Sequence, residues 1–438
     1  MFTSLQTPQF AMSALLVVAL LAYFTVKWYL SSRQIQHIFA HRTQVPAAFS
    51  HQISLDEHQN AADYALAKLQ MARKELCVDV FLVLFWSLGG GFSLLIKYSL
   101  MLSQDPLYFG LILMVLFSLL NGMLNLPLEY LSLFRVERKF GFNKMSKKLW
   151  LSDLLTSTVL SLVVGVPLLY AILLFIQQQP DFWWLWAWAL FVGLNILMLW
   201  LYPTVIAPLF NQFKPLESGK LKIRLNQLLK RCGFKSSGMF VMDGSRRSAH
   251  GNAYFTGFGA NKRIVFFDTL LTQLNDVQIE AVLAHELGHF HHKHILKRLA
   301  LVLPVSLLVF MLLGFLSKQA WFYVGLVGRN EPDLLALLLV TPEHFVATCL
   351  ALFGLILPIF SFFITPLMAQ ASRRDEFEAD AFAVQNSNGQ DLIDALVRMY
   401  QENARFVETD ALYSRFYDSH PPAMIRIAQI QHIMQSTS

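Results

Sequence analysis

Seven apolar runs long enough to cross a bilayer dominate this sequence, near residues 10–30, 76–100, 107–128, 151–176, 183–208, 296–317 and 345–369. A helix needs about 20 consecutive apolar residues to span the hydrocarbon core. Inside that core every backbone N–H and C=O must be satisfied within the protein, which helices do segment by segment. Composition agrees. Hydrophobic residues make up 55% of the 438 and charged residues 15%, against about 25% charged in a soluble domain. So little charge cannot cover so much apolar surface, which excludes intrinsic disorder and a wholly soluble fold. The first run reads as a membrane helix rather than a signal peptide. Nothing basic precedes it, it outruns an h-region, and no A-x-A site follows.

The connecting segments sort by charge. Residues 131–150 hold Arg135, Arg138, Lys139, Lys144, Lys147 and Lys148 against Glu137 alone, and 211–294 is also rich in Lys and Arg. Residues 1–10, 101–106 and 177–182 hold neither. With seven spans these sets fall on alternating sides, and the positive-inside rule puts the N-terminus outside and the C-terminus in the cytoplasm. The net charge of +6 is then topological. No nucleic-acid-binding motif accompanies it, so the bilayer is an expected partner and nucleic acid is not. Cys77, Cys232 and Cys349 are far apart and odd in number, which argues against a disulfide framework or a Cys-based metal site.

Two polar stretches divide the chain into four parts. Spans one to five occupy 1–210, a soluble segment 211–294, spans six and seven 295–370 with an outer loop at 318–344, and a soluble tail 371–438. The first soluble segment opens with a helical pattern, LKIRLNQLLKRCG, stopped by Gly233. β-rich pieces follow: MFVMDG, NAYFTGF and RIVFFDTLL. The Gly-containing connection between NAYFTG and KRIVFF predicts a hairpin, and a hairpin leaves an edge strand with unpaired N–H and C=O groups. A helix begins near Asp276 and runs through His294, in line with the sixth span. The tail reads as helix, a polar break around Asn386–Gly389, then further helices. In the outer loop DLLALLLV is too short to span and is expected at the interface.

The chemistry centres on AVLAHELGHFHHKH, in which His285, Glu286 and His289 form H-E-x-x-H. Helical residues four apart share a face, about 6 Å apart along the axis. Two imidazoles so placed can bind one Zn²⁺ at about 2.0–2.1 Å each. Glu286 points to the flank, where a metal-activated water would be. Gly288 permits close approach of another backbone. A third ligand is needed. His292 shares a face with His289 but lies about 10 Å along the axis from His285, too far for one ion to join the whole run. The stretch SRRDEFEADAFAV offers Asp375, Glu376, Glu378 and Asp380 directly after an apolar span, where uncompensated carboxylates are costly. Glu376 and Asp380 are four apart, so one can ligate while the other orients an imidazole.

HELGHFHHKH, SRRDEFEADAFA and YSRFYDSHPPAMIRI resemble the integral-membrane zinc endopeptidases of the CAAX prenyl protease type. So do ERKFGFNK, YPTVIAPLFNQFKPL and GSRRSAHGNAYFTGFGANKRIVFFDTLL, and the match runs in order from about residue 70 to the end. The resemblance implies a mainly α membrane protein: seven transmembrane helices enclosing a water-filled chamber, with a cytoplasmic α+β zinc-metallopeptidase domain. It implies one Zn²⁺ per chain, held by His285, His289 and Glu376, with Glu286 as the catalytic base. Asp380 would support a ligand or handle protons, and His420 of the HPP motif would stand near the reacting carbonyl. Asn252, Ala253 and Tyr254 match a strand that pairs with the substrate backbone, and Arg426 would bind substrate. Arg373 and Arg374 either bind a substrate carboxylate or pair with Asp375 and Glu378.

The implied reaction is hydrolysis of a peptide bond by zinc-activated water with a Glu general base. The substrate would be a peptide or protein that can carry a lipid: a prenylated CAAX protein in a eukaryote, or another membrane-associated peptide in a bacterium. The compact outer loop, and an end (QHIMQSTS) without a dilysine or KDEL-type signal, favour a bacterial inner membrane over the endoplasmic reticulum or inner nuclear membrane. In each case the active site would face the cytoplasm. The competing reading is a transporter or channel with a His and carboxylate ion site. A transporter should place that cluster near the bilayer midplane, whereas here it lies between spans and after the last one.

Overall fold

The computed structural model describes residues 8–256, 262–328 and 341–437. In chain order, the described helices of seven residues or more begin with α1 (Pro8–His41), α2 (Leu55–Trp86), α3 (Gly91–Leu102), α4 (Pro106–Leu131), α5 (Lys147–Gln178) and α6 (Trp183–Leu201). They continue with α7 (Lys220–Arg231), α8 (Asp276–His291), α9 (His294–Leu316), α10 (Pro342–Ser361), α11 (Thr365–Asn386), α12 (Gly389–Glu402), α13 (Ala411–Tyr417) and α14 (Ala423–Thr437). Among the described residues six helical stretches are long and apolar enough to cross a membrane, built on α1, α4, α5, α6, α9 and the α10–α11 rod from Glu343 to Asn386. The DLLALLLV stretch lies outside the described residues.

The seventh span differs from the expectation. Residues 76–100 are not one straight helix: α2 and α3 meet at a break and are bent by 54°. The cause is the run Gly89–Gly90–Gly91. Gly90 has φ +86, which only glycine adopts without strain, and a Cβ on Gly91 would stand 2.8 Å from the carbonyl oxygen of Phe85.

The spans pack tightly at one end. One hydrophobic core joins Met12 and Leu16 near the start of α1, Phe109 and Leu113 near the start of α4, and Leu173 and Ile176 at the end of α5. Trp183 at the start of α6, Leu313 at the end of α9 and Ala347 near the start of α10 complete it. Elsewhere the spans are little buried. The apolar window of the span on α6 is 0% buried, and those on α5 and α9 are 11% buried. Packed at one end and little buried elsewhere, the seven spans enclose a chamber.

A second core builds the soluble elements. Leu225 and Leu228 of α7, Ile279, Leu283 and Leu287 of α8, Leu392 and Leu396 of α12 and Ile427 and Ile430 of α14 pack around a small sheet. Its strands are β1 (Phe213–Pro215), β2 (Gly238–Met242), β3 (Ala253–Thr256) and β4 (Arg263–Phe267), in the order β1-β2-β4-β3. β2 and β4 are parallel, while β3 and β4 form the antiparallel pair expected of a hairpin, with Ala253 opposite Phe266. The helix expected before Gly233 is α7, and Gly233 takes φ +64 just beyond it.

The helix carrying H-E-x-x-H does not run on into the sixth span. It ends at His291, Lys293 takes φ 56, and α9 starts afresh at His294. One left-handed residue redirects the chain.

Candidate metal centre

Three side chains from two helices converge where α8 crosses α11. α8 is started by a reciprocal cap: Asn275 Oδ1 accepts from the N–H of Val277 and Gln278, and Gln278 Oε1 accepts from the N–H of Asn275 at 3.0 Å. Its buried face then presents His285 and, one turn on, Gly288. A Cβ on Gly288 would stand 2.7 Å from Cα of Ala379, so the missing side chain sets how closely α8 approaches α11. α11 extends the α10 span directly to this crossing, where it presents Glu376 and Asp380 one turn apart, both buried.

His285 Nε2 lies 3.4 Å from Glu376 Oε2, and His289 Nε2 lies 3.4 Å from Glu376 Oε1. One atom from each of the three residues can be chosen so that all lie within 4.8 Å of one another. These contacts fit a metal better than they fit hydrogen bonds. Glu376 is only 4% exposed, and its Oε2 is a buried oxygen with no hydrogen-bond partner among the described residues. Ligand atoms about 2.0–2.1 Å from one tetrahedral ion stand about 3.3–3.4 Å apart, the spacing found here. Two imidazole nitrogens and a carboxylate are a donor set suited to a borderline cation such as zinc.

The remaining expected residues surround this centre. Asp380 is 0% exposed and lies behind His285, with Oδ1 2.8 Å from Nδ1. That contact turns Nε2 toward Glu376. Arg426, for which the resemblance implies a substrate contact, lies against Asp380. Its Nε and Nη2 donate to the two oxygens of Asp380 at 2.8 and 2.6 Å in a buried pocket, and its Nη1 lies 3.7 Å from Glu376 Oε2. Glu286 follows His285 on α8, and burial raises its carboxyl pKa above the ordinary value. His420 is half exposed, with Nε2 3.3 Å from Glu376 Oε1. Arg373 pins the loop that carries it, donating to the carbonyls of Ser414 and Asp418 at 2.8 and 3.3 Å. Arg374 pairs with Glu378, Nε to Oε1 at 3.4 Å. A cleft of about 1070 Å³ opens beside the loop, lined by Phe377, Pro421 and Pro422 among others.

Asn252, Ala253 and Tyr254 lie at the outer strand of the sheet. The carbonyl of Asn252 accepts from Phe267 N–H at 3.0 Å. In an antiparallel ladder bonded and non-bonded pairs alternate, so the N–H and C=O of Ala253 and Phe255 point to the open edge. Asn252 Oδ1 accepts the Ala253 N–H at 2.8 Å. Phe255 packs on Phe290 with ring centroids 4.9 Å apart, beside His289 in sequence, which ties the edge strand to α8. His294, to which the sequence assigns no role, stands against His289, Nδ1 to Nδ1 at 2.9 Å.

Two family profiles together cover most of the chain. One, described as CAAX prenyl protease N-terminal, five membrane helices, matches residues 34–212. The other, described as peptidase family M48, matches residues 215–434. The chain belongs to peptidase family M48. Its relatives include CAAX prenyl protease 1 of Saccharomyces cerevisiae, 32% identical over 95% of this chain and 94% of that one. A CAAX prenyl protease 1 homolog of Arabidopsis thaliana is 37% identical over 70% of this chain and 69% of the relative. The crystal structure of Ste24p from S. mikatae superposes with a TM-score of 0.84 at 30% identity, covering 96% of this chain and 98% of that one. This M48 peptidase is a multi-pass membrane metalloprotease, which sets aside the transporter reading.

Proposed function

We propose that this M48 peptidase cleaves C-terminal CAAX-type or other membrane-associated peptides, using one zinc ion held by His285, His289 and Glu376. The orphaned buried Oε2 of Glu376, facing His285 Nε2, carries the reading. Zinc held there supplies Lewis acidity, which acidifies water and polarises a carbonyl. The chain's own groups do the rest. Glu286, its pKa raised by burial, accepts the proton of the attacking water and returns it to the leaving amine. His420 donates to the oxygen of the reacting carbonyl as negative charge builds on it. Asp380 fixes His285, and Arg426 fixes Asp380. The open edge of β3 binds the substrate backbone through sequence-independent hydrogen bonds, with Asn252 Oδ1 yielding the Ala253 N–H and Tyr254 flanking the peptide. The chamber gives a membrane-associated substrate a route to the site.

The site faces the cytoplasm on this reading. The basic loop after α4 contacts the soluble elements, with Lys144 N–H donating to the Arg247 carbonyl at 3.1 Å, so the loop and the site share a side. The positive-inside rule assigns that side to the cytoplasm. Labelling of engineered cysteines checks it: positions 144 and 147 react from the cytoplasm, and 178 and 328 from outside. The short 318–344 connection supports a bacterial inner membrane as the source.

The deciding experiment uses purified protein, its zinc content, and prenylated against unprenylated CAAX peptides. Cleavage that requires zinc and favours the prenylated peptide is expected if CAAX processing is the activity. Zinc-dependent cleavage without prenyl preference directs the reading to general membrane-associated peptides. A folded, zinc-loaded protein that cleaves neither overturns it.

A further inference from the structure

His294 follows the end of the H-E-x-x-H helix, yet its ring comes back to it. Lys293, in the left-handed region at φ 56, turns the chain between α8 and α9. A non-glycine residue is held there only when its surroundings compensate for the strain. The turn leaves His294 3% exposed. Its Nδ1 is 2.9 Å from Nδ1 of His289, and its Nε2 is 3.1 Å from Oε2 of Glu378.

Proton placement in this row follows from the ligand assignment. His289 faces Glu376 with Nε2, so as a metal ligand it keeps that nitrogen bare and carries its proton on Nδ1. Nδ1–H then donates to His294, whose Nδ1 accepts. A neutral His294 carries its own proton on Nε2 and donates it to Glu378. The reverse order, with His294 donating from Nδ1, would move the His289 proton to Nε2 and block the ligand. Resting on the metal-centre reading above, we propose that His294 and Glu378 are positioning residues that fix the tautomer and ring orientation of His289. The two imidazole ligands are then matched. Each is backed by a carboxylate of α11: His285 directly by Asp380, and His289 by Glu378 through an intervening imidazole.

The same residues could be read as a second cation site, because His294, Asp375 and Glu378 offer atoms within 4.8 Å of one another. The surrounding charge argues against it. Lys297 Nζ lies 3.2 Å from Glu378 Oε2 and Arg374 Nε 3.4 Å from Oε1. Both oxygens therefore already face cations.

The test measures zinc affinity of the full chain by chelator competition, together with the visible spectrum of the cobalt-substituted protein. His294→Ala should weaken zinc by roughly 10–100-fold, as loss of such supporting contacts does, and should shift the cobalt bands. His294→Asn places an amide oxygen near the position of Nδ1 and should restore most of the affinity and the spectrum. Glu378→Ala, at a partly exposed side chain, should move both readouts the same way by less, and carries the test if His294→Ala does not fold. Unchanged zinc affinity in both alanine variants overturns the proposal. An Asn variant as weak as Ala also overturns it, since only packing would then be at stake. So does a wild-type protein that binds two zinc ions and loses one with His294. If Glu376→Ala leaves zinc bound, the metal-centre reading itself has failed; if it strips zinc while His294→Ala and Glu378→Ala change nothing, only the relay has.

Discussion

Arg426 grips both oxygens of Asp380, Nε to Oδ2 at 2.8 Å and Nη2 to Oδ1 at 2.6 Å, and the same Oδ1 lies 2.8 Å from Nδ1 of His285. His285 is thus held by a buried ion pair rather than by a lone carboxylate. Removing one partner of such a pair strands the other charge and costs about 3–5 kcal/mol. Arg426→Met should lower the melting temperature and the zinc content together. Lysine should rescue poorly, because one ammonium cannot reproduce a two-pronged contact. Asp380→Asn should be milder, roughly 10–100-fold in zinc affinity or activity. Thermal unfolding with metal analysis checks all three, and wild-type values for Arg426→Met would show the pair to be idle.

Glu286→Gln should keep zinc and lose proteolysis. Glutamine cannot accept a proton from water, while His285, His289 and Glu376 stay in place. Metal content beside peptide cleavage decides. Loss of zinc would make Glu286 structural, and full activity would remove it from the reaction.

Glu376→Ala should lower zinc content and activity together, whereas His292→Ala should change neither much. His292 is not among the three converging side chains, and its Nδ1 lies 3.9 Å from Glu378 Oε2. Zinc lost from the His292 variant and retained by the Glu376 variant would reverse the ligand assignment.

Ala253→Pro should abolish cleavage while leaving zinc and folding intact. The Ala253 N–H points away from β4 and is held by Asn252 Oδ1, so proline removes no rung of the β3–β4 ladder. It removes the donor offered at the open edge. Undiminished cleavage by the folded, zinc-loaded variant would exclude β3 as the substrate edge.

Zinc affinity should rise with pH up to about 9 and then level off. In the metal-free chain desolvation lowers the His285 pKa, but hydrogen bonds to Asp380 and Glu376 outweigh it, and the result is about 9 against an ordinary 6.5. The ion must displace that proton, which is worth about tenfold in affinity per pH unit below the folded pKa. The metal-free fold responds in the opposite sense. A folded pKa above the unfolded one stabilises fully below about 6.5, and that stability is lost as pH rises through about 9. Chelator competition and melting of the zinc-free protein from pH 6 to 10 should therefore slope in opposite directions.

The sequence alone determined the membrane class, six of the spans and the pairing of H-E-x-x-H with an acidic helix, because each is written in local spacing. Span length is counted along the chain, and residues four apart on a helix share a face wherever the helix lies. Spacing left Glu376 and Asp380 equivalent as ligands. The crossing of α8 on α11 at Gly288 separates them, placing Asp380 behind His285 and Glu376 between the two imidazoles. Arg426 lies 46 residues from Asp380, and no periodicity links positions so far apart. The break between α2 and α3 was legible only as three glycines in a row. His294 was hidden for a different reason. On an unbroken helix five residues past His289 it would point about 140° away. The left-handed turn at Lys293 brings it back, and only the packed α8–α9–α11 corner holds that turn.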